Sequence, residues 1–259
     1  MEILKEKSFS DHMIENLCCD VKDRDPLNII LADKIKVKDF IKSYYTGDDK
    51  IFDHILWIGY DVKEAIKNLY VPCVIKPNNA WHRIAFIRSE KDINSKLENE
   101  LNSWLTDIRP SWEWYYKEIK PGFVIEKLMP DVHTMHRVYV FGGKAKLFFN
   151  QHFDVSKNSL HNVPDNTFYY AETGELIHVS WDGTKYKHRD FDYKLLSEYA
   201  EKLAQFPDGP PPFVRVDFYL VDGQPYFSEM TMLPDAASRH RFSPDDLDYQ
   251  MGEWYRECL

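Results

Sequence analysis

The chain has no hydrophobic run of the roughly 18 residues that a membrane-spanning helix needs, and its start, MEILKEKSFSDH, has no apolar signal core. Cysteine is sparse. The four are Cys18, Cys19, Cys73 and Cys258, none in a C-x-x-C pair, and a vicinal pair is a poor framework for disulfides, which fits a reducing compartment. Positive charge is not in excess either: the formal net charge of −9 argues against a nucleic-acid partner held by broad phosphate neutralisation, while leaving room for a locally basic pocket for a small anion. Internal repeats and low-complexity tracts are also lacking. Together these absences imply a cytoplasmic globular protein with no membrane span and no nucleic-acid partner, which could still dock on a membrane-bound assembly.

Aromatic residues are abundant, at 15% of the 259 residues. Most such rings fill cores, and a chain this long can form one large domain or two intimate lobes. Phe213 to Thr231, reading FVRVDFYLVDGQPYFSEMT, organises the rest. Two runs rich in aromatic and β-branched residues flank Asp222-Gly223, a hairpin signal. In the first run Val214, Val216, Phe218 and Leu220 alternate with Arg215, Asp217 and Tyr219, so one face is apolar and the other carries charge. Glu229 and Thr231 share a face of the second run. Carboxylates on adjacent strands can hold a hard divalent cation through oxygen; the plain alternative is a sheet edge with solvated charges.

Register decides between these. A two-residue turn at Asp222-Gly223 sets Asp217 and Glu229 on opposite sides of the sheet. A three-residue loop, Val221 to Gly223, sets them on the same side with Arg215 opposite Glu229. The shared cation site therefore calls for the three-residue loop.

Elsewhere, Met13, Ile14 and Leu17 stand at helical spacing, and residues 32–42 (ADKIKVKDFIK) read as a short amphipathic helix rich in lysine. Residues 61–68 form a short helix begun by an Asp cap. Val71 to Pro77 is a compact apolar strand ending in Lys76, whose ammonium must leave the core toward solvent, an anion or a carboxylate. Ile84 to Ile87 pairs back on it. From Ser89 to Ile119 the pattern is helical and acidic, with Leu97, Leu101, Trp104 and Leu105 on the apolar side, followed by the aromatic run from Trp112 to Tyr116. Phe123 to Met129 is a strand. Arg137 to Phe141, Gly142-Gly143 and Lys146 to Asn150 make a hairpin, and Lys194 to Phe206 a helix. Residues 150–190 give little periodic signal, and the acidic tail from Ser243 can end in a short helix.

In this order the pieces ADK (32–34), VIKPNN (74–79), LNSWL (101–105), E-x-x-Y (113–116), IKPGFVIEKLM (119–129), VYVFGGK (138–144), FVRVDFY (213–219), YFSEMT (226–231) and F-x-P (242–244) resemble the ATP-grasp superfamily, and more closely its TupA-like branch, named for teichuronopeptide biosynthesis. The resemblance covers the chain from about residue 24 onward. It implies an α+β ATP-grasp fold in which two α+β lobes hold the nucleotide between them. The expected division is a short N-terminal segment with the lysine-bearing helix (1–44), a small lobe (45–122) and a large lobe with the metal site (123–259). The N-terminal subdomain common in such enzymes is reduced or absent, since only about thirty residues precede Asp33.

The resemblance also implies site residues. Lys34 and Lys76 would contact ATP phosphates from two sides. Glu126, Lys127 and Leu128 would form the hinge beside adenine, with backbone groups of Lys127 and Leu128 on the base edge, and Asp131 would reach the ribose. Asp217, Glu229 and Thr231 would hold Mg²⁺, as two ions. Arg215 would stabilise the transferring phosphoryl group, a task suited to a guanidinium, and Arg137 would supply the cation of a triplet that here reads Met135-His136-Arg137. The implied reaction is ATP-dependent carboxylate–amine ligation through an acyl phosphate, on small-molecule or glycan substrates of cell-surface polysaccharide synthesis, with an assembly protein as a possible partner. Transfer of phosphate to a hydroxyl, as a kinase, and a nucleotide-binding scaffold without turnover are the alternatives. The sequence departs from the branch in loop 78–83 (NNAWHR), which lacks the glycine that lets backbone amides approach phosphate closely. His82 is a further candidate there.

Overall fold

The computed structural model describes residues 7–80, 83–106, 113–129, 134–152, 166–177, 190–234 and 245–259. Asp131, His82, Trp81 and the F-x-P at 242–244 lie outside the described residues. Two antiparallel sheets meet along a seam. The smaller has the order β1 (Ile55–Gly59), β4 (Phe123–Lys127), β2 (Cys73–Pro77), β3 (Ala85–Ile87). Its outer face, with Cys73, Ile75, Phe123 and Ile125, packs on α4 (Val62–Lys67) and α5 (Ser95–Thr106) through Val62, Ala65, Leu97, Leu101 and Trp104. Strand alternation then turns Val74, Lys76, Val124 and Glu126 to the other face, toward the second sheet.

That second sheet has the order β10 (Gln224–Thr231), β9 (Phe213–Val221), β5 (Thr134–Phe141), β6 (Lys144–His152), β7 (Asn166–Tyr170), β8 (Leu176–Ile177). Val214, Val216 and Phe218 enter a core with Leu196, Ala200 and Leu203 of α6 (Tyr193–Leu203) and with Val37 and Ile41 of α3 (Lys36–Tyr44). The other face is divided along its length. Phe213, Tyr139, Phe141 and Phe149 pack under α1 (Phe9–Leu17) and α7 (Asp245–Arg256), whereas Arg137, Arg215, Asp217 and Tyr219 make its other end polar. The two ends of one face therefore serve a core and a site.

Several expectations need correction. The helix expected over 32–42 begins later, as α3, and Ala32 instead ends a separate helix, α2 (Leu27–Ala32), across a turn at Asp33 to Ile35. The break is built by Asp33, whose carboxylate accepts from the amides of Ile35 (2.9 Å) and Lys36 (3.3 Å) and caps α3. Among the described residues the helical pattern from Ser89 yields a 3₁₀ turn at Glu90–Asp92, α5, and a further 3₁₀ turn at Trp114–Lys117. Strand β4 belongs to the smaller sheet, because β1 and β2 both pair with it. The change of sheet thus falls after Lys127, not at residue 122.

The β9–β10 hairpin does not form the three-residue loop. Val221 pairs with Gln224 around a two-residue turn with Asp222 at φ 49° and Gly223 at φ 77°, the left-handed pair a type I′ turn requires. Continued regularly, that register would set Ser228 against Asp217. A bulge between Phe227 and Glu229 absorbs one residue, so Glu229 pairs with Asp217 and Thr231 with Arg215. The parity needed for a shared site is restored within the strand instead of at the turn.

Candidate functional site

Asp217 is fully buried, and Arg215 grips it with both prongs, Nε to Oδ1 at 2.7 Å and Nη2 to Oδ2 at 2.8 Å. Arg137, its cross-strand partner on β5, brings Nε within 3.4 Å of the same carboxylate and donates Nη2 to Gln151 at 2.7 Å. Arg215 also reaches Glu229 at 3.2 Å, and Lys34 meets the other Glu229 oxygen at 3.3 Å. Burial, helped by the negative charge of Glu229, outweighs the opposing Arg215 and Arg137 and pushes the Asp217 pKa up to about 6. Glu229 goes the other way: burial alone would raise it, but Lys34, Arg215 and Arg137 outweigh that and hold it at about 2. Two carboxylates and three cations thus converge on one spot.

Lys34 is aimed there by the Asp33–Ile35 turn. Its amide donates to the carbonyl of Asn78 at 3.2 Å, and its ammonium to the carbonyl of Ala80 at 3.1 Å. Buried Asn78 donates to Asp33 at 2.8 Å and to the Lys120 carbonyl at 3.0 Å, and accepts from the Gly122 amide at 2.6 Å. The glycine-free loop after β2 is therefore tied to the lysine turn by Asn78 and Ala80.

On the smaller sheet Lys76 pairs with Glu126 at 2.5 Å and donates to the Tyr219 hydroxyl at 3.3 Å, so β2, β4 and β9 join at one ammonium. Burial would push the Glu126 carboxyl up, yet Lys76, His54 and Lys38 bring it down to about 2. Fully buried His54 lies 3.8 Å from Glu126 with neither ring nitrogen hydrogen-bonded, and burial lowers its pKa to about 4. The expected hinge is only partly available. The Lys127 amide donates to the His54 carbonyl at 2.7 Å and the Leu128 amide to the Pro72 carbonyl at 3.4 Å. A strand paired on both sides uses its own amides in the sheet, so the Lys127 N–H is not free for a base edge; the longer Leu128 bond is the weaker of the two.

The structure thus brings Lys34, Arg137, Arg215, Asp217 and Glu229 into one cluster and Lys76 and Glu126 into a second beside it. Thr231, half-buried, shares the face of Glu229. Sequence reasoning missed Asp33, Asn78, Lys38, His54 and Tyr219 as members of this neighbourhood. Asp33 and Asn78 stand within quoted motifs and could have been found there; Lys38 and His54 carry no pattern signal. The donors suit a hard cation: two carboxylates and a hydroxyl, all oxygen. Among the described residues no group of three or more His, Cys, Asp or Glu is arranged to hold a metal ion by itself. A cation held by Asp217 and Glu229 would thus complete its shell with oxygens of ligand or water.

Residues 14–256 match the family model described as TupA-like ATPgrasp. Among curated proteins the chain is similar to "Choline kinase B1" of Caenorhabditis elegans, 28% identical over 146 residues, covering 54% of this chain and 38% of that protein. Among solved structures it is similar to D-cycloserine synthetase DcsG, with 13% identity, 90% of this chain and 72% of that chain covered, and a TM-score of 0.52. It is also similar to L-amino acid ligase from Bacillus licheniformis, with 9% identity, coverage of 87% and 48%, and a TM-score of 0.51. The chain spans well under two thirds of the curated relative it matches. Together with the family match, these likenesses establish an α+β ATP-grasp fold.

Proposed function

We propose that this chain, which belongs to the TupA-like ATP-grasp family, is an ATP-dependent ligase that phosphorylates a carboxylate and passes the acyl group to an amine. The observation that carries the reading is the convergence of Lys34, Arg215 and Arg137 on Asp217 and Glu229, with Lys76 and Glu126 alongside. Phosphoryl transfer needs mainly positioning and compensation of negative charge. Mg²⁺, when held by Asp217 and Glu229 with Thr231 nearby, would offset charge on the nucleotide's phosphates. Lys34, Arg215 and Arg137, the cations now resting on those carboxylates, would then be free to turn to phosphate, and Lys76 would reach it from its pair with Glu126, the lysines as compact ammonium groups and the arginines as two-pronged donors. In the first step a substrate carboxylate oxygen bonds to the γ-phosphorus and ADP leaves. In the second an amine bonds to the acyl carbon, phosphate leaves and the amine gives up a proton.

We assign the adenine to the β4 end at Glu126 to Leu128 and the ribose to Asp131. The residues 1–44 would support the large lobe, with nucleotide between it and the small lobe. We place the reaction in the cytoplasm, in synthesis of a cell-surface polysaccharide or peptide-modified glycan. The test is release of ADP and phosphate by the purified chain with Mg-ATP and panels of carboxylates and amines. Release that requires both substrates, and is lost in Asp217→Asn and Glu229→Gln, supports ligation.

A second reading is a kinase acting on a hydroxyl, favoured by the match to a protein named a choline kinase. Phosphate transfer to a hydroxyl without any amine would establish it. Binding of Mg-ATP with no turnover on any panel would instead leave a nucleotide-binding scaffold.

A further inference from the structure

Lys38 is the charged residue of the seam to which the proposed function gives no task. It lies on α3, one helical turn from Lys34, and is 3% exposed. Among the described residues its ammonium has one hydrogen-bond partner, the carbonyl of Lys34 at 2.6 Å. The Phe227 ring lies 5.9 Å away. A buried ammonium with donors unfilled and no carboxylate in contact costs free energy, and methionine would fill the space over Phe227 without that cost. The charges that face it come from every element around it: Glu126 on β4, Lys76 on β2, Lys34 ahead of α3, Glu229 on β10 and His54 ahead of β1.

We propose that Lys38 is a positioning residue for polyphosphate binding: it holds the Lys34 carbonyl, fixes the direction in which Lys34 presents its ammonium beside Glu229, and adds a second positive charge beneath it. This rests on the nucleotide-binding reading above. Burial lowers the Lys38 pKa to about 8, with Glu126 opposing and Lys76 and Lys34 reinforcing the shift. A polyanion arriving at Lys34 favours the charged form. Above that pH, binding therefore draws a proton onto Lys38, and affinity falls as pH rises, by at most about tenfold per pH unit.

Calorimetric titration of the whole chain with Mg-ATP, in buffers of different ionisation enthalpy from about pH 7 to 9.5, reads both affinity and proton uptake. The expected wild-type result is binding with proton uptake on the alkaline side. Lys38→Met binds about tenfold more weakly at neutral pH, a loss of about 1.4 kcal/mol, and takes up no proton. Lys38→Arg, whose guanidinium does not titrate, stays within about threefold of wild type, which is under 1 kcal/mol, and also takes up none. Unchanged affinity in a folded Lys38→Met, or uptake that persists in it, overturns the proposal. If circular dichroism shows that Lys38→Met does not fold, uptake persisting in Lys38→Arg overturns it, as does lack of uptake in wild type. A wild-type chain that binds no Mg-ATP overturns the nucleotide-binding reading itself, and this proposal with it.

Discussion

Asp217 on β9 stands opposite Glu229 on β10 because Ser228 lies in a bulge, although the turn joining the strands would set Ser228 there. Turn and bulge thus carry separate tasks, the turn closing the hairpin and the bulge correcting the site's parity. Gly223→Ala tests this separation. At φ 77° an added Cβ meets no atom within 4 Å, so the cost is the left-handed backbone alone, about 1–2 kcal/mol. The expected outcome in urea unfolding is that loss of stability, with Mg-ATP affinity unchanged because the bulge still sets the register. A comparable loss of affinity would mean that the turn, not the bulge, sets the site.

Lys76 and Glu126 form the buried pair that fastens the smaller sheet to Tyr219. Removing one partner leaves an uncompensated charge, and Lys76→Met or Glu126→Leu should each cost roughly 3–5 kcal/mol in denaturant unfolding. The double variant should cost far less than their sum, because the apolar pair has no charge to desolvate. Additive losses would show that each residue is held by other groups and that the pair is not the fastening.

Much of the site was legible because charge alternated with apolar residues in an otherwise aromatic strand. Arg215 and Asp217 could be placed on one face by alternation, Glu229 joined them only through a three-residue loop that the structure does not form, and Lys76 stood out as a lysine closing a buried strand. The bulge at Ser228 was not legible: nothing in YFSEMT marks an extra residue, and the same parity could be reached through a longer loop. The break between α2 and α3 was hidden because Asp33 is as compatible with a helix surface as with a cap. Whether an amide is free depends on how many strands flank it, which is a tertiary fact. Hence the use of the Lys127 N–H inside the sheet could not be read from FVIEKLM.

Asp33 links two devices, the cap of α3 and the tie to Asn78. In Asp33→Ala the cap is lost, at about 1 kcal/mol, and Asn78 loses one of its partners. Lys34, whose amide rests on the Asn78 carbonyl, then loses its fixed direction. The expected result is a modest fall in melting temperature with a larger fall in Mg-ATP affinity. Asp33→Asn, which keeps an accepting oxygen for the cap amides, should recover most of the stability. If affinity falls no further than stability does, the turn supports α3 only and does not aim Lys34.

The pH dependence of stability should expose two opposing buried groups. His54 has a folded pKa of about 4 against 6.5 unfolded. Its contribution is complete above the unfolded value and is lost as pH falls through that window, by roughly 3 kcal/mol at full shift. Asp217 has a folded pKa of about 6 against 3.8, so the folded chain takes up its proton first, and acidification over nearly the same window stabilises by a similar amount. The two oppose each other, so the wild-type profile should be flatter there than that of a variant lacking either group. Below the unfolded carboxylate range it should fall steeply, because Glu126 and Glu229, both held at about 2, take up protons on unfolding. Equilibrium unfolding of His54→Gln should therefore show stability rising as pH drops from 6.5 toward 5, above the unfolded glutamate value of 4.5, where of these buried groups only Asp217 still titrates. Asp217→Asn should show the reverse slope. If both variants give the wild-type profile, neither buried group is shifted in the fold, and the charge arrangement described around Asp217 and Glu126 is wrong.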